Sequence, residues 1–130
     1  MISGVLRTQL AGERLVRLAG AHDGLTAVLI ERAGFDGIWA GGLAICTSAG
    51  VPDAGLLTMT ELLAAASQMR QASRLPIIAD VDSGFGDSNV IGRMTRLYES
   101  AGIDAVCIED MPFALTGTDD LLEDEPAPTR

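Results

Sequence analysis

Two stretches of this chain are near copies of one another. Glu31-Arg-Ala-Gly-Phe-Asp-Gly-Ile38 and Glu99-Ser-Ala-Gly-Ile-Asp-Ala-Val106 each run from the polar end of a helix-like segment, through an Ala-Gly stop, into a short apolar run. A glycine just past a helical pattern marks its C-terminus, and the apolar run that follows has the length of a buried strand. The repeat therefore describes βα units in series. Strands that alternate with helices build a parallel sheet joined by right-handed crossovers.

The remaining elements fall into the same rhythm. Ile2 to Arg17 has the mixed spacing of a leading helix, and Leu15 to Ala21 reads as a first short strand. A helix from Leu25 to Ala33 is capped by Asp23 and stopped by Gly34, and the second strand is Gly37 to Ala40. Thr58-Met-Thr-Glu61 has capping-box form and opens a helix that runs to about Ala72, with Pro76 leading into the third strand. Ser88 caps a further helix through Ser100, Gly102 ends it, and Ala105 to Glu109 is the fourth strand.

About four parallel βα units make the N-terminal half of a (β/α)8 barrel, a fold that takes ~250 residues. A chain of 130 residues cannot close one alone. The expectation is a partial barrel domain over residues 1–113 and a divergent acidic tail over 114–130. A half barrel leaves an apolar inner face and two unpaired edges, so self-association or a partner chain is expected to cover them.

Composition excludes several functions. Apolar residues at 48% and charged residues at 21% describe a globular, water-soluble chain. No apolar run reaches the ~18 residues needed to cross a bilayer, and the N-terminus lacks the pattern of a secretory leader, so a cytoplasmic location is expected. A net charge of −9 argues against nucleic-acid partners, which are held by neutralising phosphates. Five acids crowd the seven residues Asp119 to Glu125, a run that reads as a solvated tail. All nine basic residues are arginine, which removes lysine chemistry, and Cys46 and Cys107 read as reduced core residues without metal-type spacing.

The chemistry-bearing residues are acids at strand ends. The segment Leu75-Pro-Ile-Ile-Ala-Asp-Val-Asp-Ser-Gly-Phe-Gly86 ends in Asp80 and Asp82, whose side chains share a face if the strand continues through both. Glu109 ends the fourth strand, and Asp53 follows the second after a glycine-rich link. In parallel α/β proteins the C-terminal strand ends gather at one mouth. Oxygen-only donors gathered there suit a hard cation such as Mg²⁺.

With these residues in view, Ala21-His-Asp-Gly-Leu-Thr-Ala27, Gly34-Phe-Asp-Gly-Ile-Trp-Ala-Gly-Gly-Leu43, Gly50-Val-Pro-Asp53, Asp80-Val-Asp-Ser-Gly-Phe-Gly86 and Val106-Cys-Ile-Glu-Asp110 resemble, in unbroken order, the phosphoenolpyruvate mutase/isocitrate lyase superfamily. The similarity is greatest to its phosphoenolpyruvate mutase and phosphonopyruvate hydrolase branch. The resemblance implies a (β/α)8 barrel that binds Mg²⁺ and a 2-oxo acid or enol carboxylate at its mouth. It implies that Asp80 is the direct metal ligand, that Asp53, Asp82 and Glu109 hold metal-bound waters, and that Trp39, Gly41, Gly42 and Leu43 line the substrate pocket.

The departures define the alternatives. Leu115 stands where the mutases and hydrolases carry a gating-loop lysine, Gly117 stands near an expected asparagine, and Gly41 takes the place of a small polar serine. No cysteine, lysine or histidine follows Glu109, so the proton donor of the lyase branch is missing. Phosphonopyruvate or phosphoenolpyruvate chemistry at the P–C bond is the leading expectation. A catalytically inactive binding or assembly module, or a C–C bond lyase, are the alternatives.

Three further features carry two readings each. His22 either hydrogen-bonds a carboxylate of the site or orients its loop, and the loop role is favoured for a lone histidine. Gly84-Phe-Gly86 either cradles a phosphate or makes a tight strand-to-helix turn. Trp39 is either a pocket wall or ordinary core packing.

Overall fold

The computed structural model describes residues 4–110. Helix α1 (Gly4–Ala11) leads, followed by β1 (Leu18–Ala21), α2 (Gly24–Arg32), β2 (Gly37–Ala40), α3 (Gly42–Ala49), α4 (Met59–Ala72), β3 (Ile77–Asp80), α5 (Ser88–Ser100) and β4 (Ala105–Cys107). The expected gating loop from Met111 to Thr118 and the acidic tail lie outside the described residues. Among the described residues no helix is long and apolar enough to cross a membrane.

The four strands form one parallel sheet in the order β1-β2-β3-β4, each beside its predecessor. A sheet wound in one direction never reverses, so its helices stay on one face, as in a barrel wall. Burial agrees. Ala21, Ile38, Ala40, Ile77, Ala79 and Val81 are buried against the helices, with Ala27, Leu62, Ala66, Met69, Met94 and Tyr98 completing the core. Alternate residues point the other way, and there Trp39, Ile78, Asp80 and Ala105 are half-buried while Gly20 and Cys107 are exposed. The sheet is thus covered on one face only among the described residues. Cys46 is buried and Cys107 is exposed on the uncovered face, which corrects the expectation that both are core residues.

The repeated sequence has a structural reason. In each copy the aspartate grips the residue at or just before the start of the preceding strand twice, once through its backbone and once through its carboxylate. Asp36 donates its N–H to the Arg17 carbonyl at 2.9 Å, and its Oδ2 accepts the Arg17 N–H at 2.9 Å. Asp104 donates to the Ile77 carbonyl at 3.0 Å, and its Oδ2 accepts the Ile77 N–H at 2.8 Å. Each pair fixes the register of β2 on β1 or of β4 on β3. Both carboxylates also meet arginines, Asp36 with Arg14 and Arg17, and Asp104 with Arg70 at 3.4 Å.

Several boundaries move from their expected places. The leading helix stops at Ala11 rather than near Arg17, and β1 starts at Leu18 rather than Leu15, because the segment between carries Arg14 and Arg17 to Asp36. Asp87, not Ser88, caps α5, its carboxylate accepting the N–H groups of Asn89 and Val90. The cap expected from Asp23 at α2 and the capping box expected from Thr58 and Glu61 at α4 are in place, and Thr26 completes a box with Asp23 as well. Such caps each stabilise a helix by about 1 kcal/mol.

Candidate active site

Helix α3 organises the mouth of the sheet, and it is the one described helix that the sequence reading passed over. It begins directly after β2, where Gly41 occupies the N-cap position with no side chain to offer. The carboxylate of Asp80, arriving from the end of β3, takes up that role: its Oδ2 accepts the Gly42 N–H at 3.3 Å. An anion at a helix N-terminus is favoured by the free N–H groups and the helix dipole.

Three carboxylates converge on Gly42. A Cβ atom there would lie 3.4 Å from Asp80 Oδ2, 3.4 Å from Asp82 Oδ1 and 3.5 Å from Asp53 Oδ1. Glycine leaves open the space that these oxygens face. Asp82 does not reach it by continuing the strand. β3 ends at Asp80, and Asp82 takes a left-handed conformation (φ 46°), its N–H donating to Asp80 Oδ1 at 3.3 Å. The pairing of β3 with β4 nevertheless persists beyond the regular ladder. Val81 donates to the Cys107 carbonyl at 3.1 Å and Glu109 donates to the Asp82 carbonyl at 2.7 Å, which brings Glu109 to the same mouth.

The electrostatics follow from this crowding. Burial, then the charges of Asp80, Asp53 and Glu109, push the Asp82 carboxyl above the ordinary aspartate range. Burial, then Asp53 with its charge and hydrogen bond, and then Asp82 and Asp80, push the Cys46 thiol up to about 11. Cys46 is therefore a thiol at neutral pH, not a thiolate. Behind the sheet, burial and then Asp82 and Asp80 raise the Tyr98 phenol, whose hydroxyl is buried with no partner among the described residues.

A cleft of about 740 Å³ opens over these acids. Asp53, Asp80 and Glu109 line it together with Trp39, Gly41, Gly42 and Leu43, so all of the expected pocket residues share one cavity; Asp82 lies outside the lining. Trp39 is a pocket wall. Its indole Nε1 would stand 2.7 Å from a Cβ on Gly41, so the ring fills the place a side chain at Gly41 would need. His22 also lines the cleft, but its Nε2 is 3.8 Å from Asp23 Oδ2 and it pairs with none of the clustered acids. Gly84-Phe85-Gly86 is a tight turn in which all three residues have positive φ and Gly84 donates to the Val81 carbonyl at 2.8 Å. Among the described residues no group of three or more His, Cys, Asp or Glu side chains is arranged to hold a metal ion directly.

A one-directional βα sheet whose strand ends gather acids around a glycine at a helix N-terminus defines a barrel-type α/β protein with an anionic mouth. Residues 6–126 match the phosphoenolpyruvate phosphomutase family, and this chain belongs to it. It is 42% identical to the 2,3-dimethylmalate lyase of Eubacterium barkeri over 106 residues, and 39% identical to the phosphonopyruvate hydrolase of a Variovorax species over 108. These alignments cover 81% and 83% of this chain but 37% of each relative. Among solved structures, a phosphoenolpyruvate phosphomutase from Streptomyces platensis subsp. rosaceus superposes with a TM-score of 0.82 at 52% identity, covering 85% of this chain and 38% of that one. Phosphonopyruvate hydrolase in complex with oxalate and Mg²⁺ gives a TM-score of 0.82 at 38% identity, covering 84% of this chain and 38% of that one. The chain therefore spans little more than a third of the length of the relatives it matches.

Proposed function

We propose that this chain carries the metal-binding half of a Mg²⁺-dependent site that acts on a small 2-oxo acid of the phosphonopyruvate or phosphoenolpyruvate kind. The observation that carries the reading is the convergence of Asp53, Asp80 and Asp82 on Gly42, with no arginine among the described residues of the cleft lining. Oxygen donors without nitrogen or sulfur fit a hard divalent cation. Asp80 would hold it directly, and Asp53, Asp82 and Glu109 would hold its waters, in keeping with the reluctance of Mg²⁺ to lose its hydration shell. A bound Mg²⁺ supplies Lewis-acid stabilisation of an enolate oxygen beside a carboxylate.

The chain's own residues do the rest. Gly42 leaves room at the convergence point. The α3 N–H groups after Gly42, whose own N–H is taken by Asp80, favour an anionic substrate group, and Trp39 and Leu43 supply apolar walls that limit water. Mg²⁺ and oxalate, an enolate-like dianion, are held by the phosphonopyruvate hydrolase that shares this fold. The uncovered face of the sheet is closed in this reading by self-association or by another chain. Two other readings have support. Similarity to the dimethylmalate lyase favours C–C bond cleavage, and the exposed inner face favours an inactive binding or assembly module.

The test is ³¹P NMR of the folded chain with phosphonopyruvate and Mg²⁺, beside a calorimetric Mg²⁺ titration. A new phosphoenolpyruvate or phosphate signal, lost in Asp80→Ala, is expected. Mg²⁺ binding without turnover would move the reading to the inactive module. A wild-type chain that binds no Mg²⁺ would overturn the metal site.

A further inference from the structure

Asp53 differs from its neighbours in the acid cluster. Asp80 and Asp82 belong to or directly follow a strand, whereas Asp53 sits on an exposed loop between α3 and α4. An exposed loop carboxylate facing Asp80 and Asp82 should turn toward water, because like charges repel and solvent is close. It is instead turned inward, its Oδ1 3.5 Å from the point over Gly42 where Asp80 and Asp82 also arrive. Something must hold it there.

Among the described residues, the one hydrogen bond to the Asp53 side chain comes from Cys46, whose Sγ lies 3.6 Å from Oδ1, an ordinary separation for the large sulfur atom. Cys46 is 3% exposed and stands one helical turn after Gly42, on the same face of α3. Its backbone also shapes the loop. α3 ends in a left-handed Gly50 (φ 75°), and Val51 donates to the Cys46 carbonyl at 3.0 Å while Gly50 donates to Thr47 at 3.0 Å, the pairing of a Schellman turn. This turn reverses the chain and returns it past Cys46. The same residue thus fixes the reversal through its carbonyl and the carboxylate through its thiol.

We infer that Cys46 is the positioning residue of the mouth, its S–H donating to Asp53 and holding that loop carboxylate over Gly42. A thiol suits the task. It is compact and apolar enough to be buried, and its weak donor satisfies one carboxylate lone pair while leaving the rest for water or an ion. The contact itself stands without any metal. Its consequence for Mg²⁺ affinity rests on the proposed function, and the two are read out separately.

The metal-free readout is the infrared S–H stretch of the full chain in a Cys107→Ser background, where Cys46 is the remaining thiol. Donation lowers the S–H frequency, so Asp53→Ala should move the band up toward that of a free buried thiol. A band that does not move overturns the inference, whatever the chain does with metal. The second readout is Mg²⁺ affinity by calorimetry for Cys46→Ala, Cys46→Val and Cys46→Ser, with thermal unfolding followed in parallel. Outer ligand partners are commonly worth 10-fold or more in metal affinity, so Ala and Val should each weaken binding by on the order of tenfold, and Ser, which keeps a donor, should recover most of it. Valine retains the buried volume, which separates loss of the donor from loss of packing. Equal affinities across the four chains would overturn the positioning role, and so would a loss that Ser fails to rescue. A wild-type chain that binds no Mg²⁺ would sink the metal reading, while a shifted S–H band would still support the Cys46–Asp53 contact.

Discussion

The two ends of the sheet treat their acids in opposite ways. Where the strands begin, each buried or half-buried acid has arginine beside it: Asp36 with Arg14 and Arg17, Asp104 with Arg70. Where the strands finish, Asp53, Asp80, Asp82 and Glu109 gather with no arginine partner among the described residues. The contrast is visible in the proton affinities. The Arg17 N–H, then Arg14, hold the Asp36 carboxyl below the ordinary range, while burial and neighbouring carboxylates hold Asp82 above it. One end uses charge to fix register. The other keeps charge unbalanced, which is the condition a cation relieves.

Exchanging the roles of the two ends is the direct way to break this comparison. Asp80→Ala should lower Mg²⁺ affinity by about 100-fold or more, beyond what outer ligand partners contribute, with a stability loss no larger than that of one helix cap, about 1 kcal/mol. Calorimetry beside thermal unfolding checks both halves of that statement. Asp104→Ala should do the reverse. It orphans the Ile77 N–H and removes the ion pair of Arg70, which keeps its bonds to the Leu75 and Ser73 carbonyls, a loss of about 1–3 kcal/mol in chemical denaturation, with Mg²⁺ affinity unchanged. If either variant shows the other's phenotype, the division of labour is wrong.

The pH dependence sharpens the same contrast. A carboxylate whose folded pKa is depressed contributes stability that is full above its unfolded pKa, near 4, and is lost as pH falls through the folded value. Asp36→Asn should therefore lower stability at neutral pH and flatten its decline in acid, as read from urea midpoints between neutral pH and about pH 3. Asp82 has the opposite sign: its charged form is disfavoured in the folded chain, so Asp82→Asn should raise the melting temperature of the metal-free protein at neutral pH. Solvent screening keeps that gain on the order of 1–3 °C, and asparagine accepts the left-handed backbone at this position. The gain should fade as pH falls through the raised pKa of Asp82. The smallest effect belongs to Tyr98→Phe, which removes a buried hydroxyl that has no partner among the described residues and should leave stability within about 0.5 kcal/mol of wild type or slightly above it.

What could be read from the sequence follows from how local each signal is. β2 at Gly37–Ala40 and α4 after Thr58 were legible because an Ala-Gly stop and a capping box are complete within a few residues. Asp80, Asp82 and Glu109 were legible as acids at or just past strand ends and Asp53 as an acid after a glycine-rich link, and the structure brings them to one mouth. α3 was not legible, because its N-cap is a glycine and its cap comes from Asp80, far away in sequence. The left-handed turn at Asp82 was hidden for a related reason. It depends on the Asp80 carboxylate and on Glu109 across the sheet, and an alternating Asp-x-Asp pattern reads as a continued strand. Cys46 reads in the sequence as an ordinary reduced core cysteine, because buried cysteines are common and its partner is fixed only once Gly50 reverses the chain.

The paired grips of Asp36 and Asp104 fasten β1 to β2 and β3 to β4, whereas at the start of the β2–β3 boundary Pro76 accepts the Ile38 N–H at 2.8 Å and has no N–H to return. β2 and β3 still pair in register, from Ile38 beside Ile77 to Ala40 beside Ala79, so the sheet is continuous. The exposed loop at Gly55 and Leu56 divides the chain into two halves, each with its own strand pair and its own aspartate clasp, joined by the β2–β3 ladder and the packing of α2 on α4. The acid-lined mouth is built across that division, because Asp53 lies on one side of it and Asp80, Asp82 and Glu109 on the other.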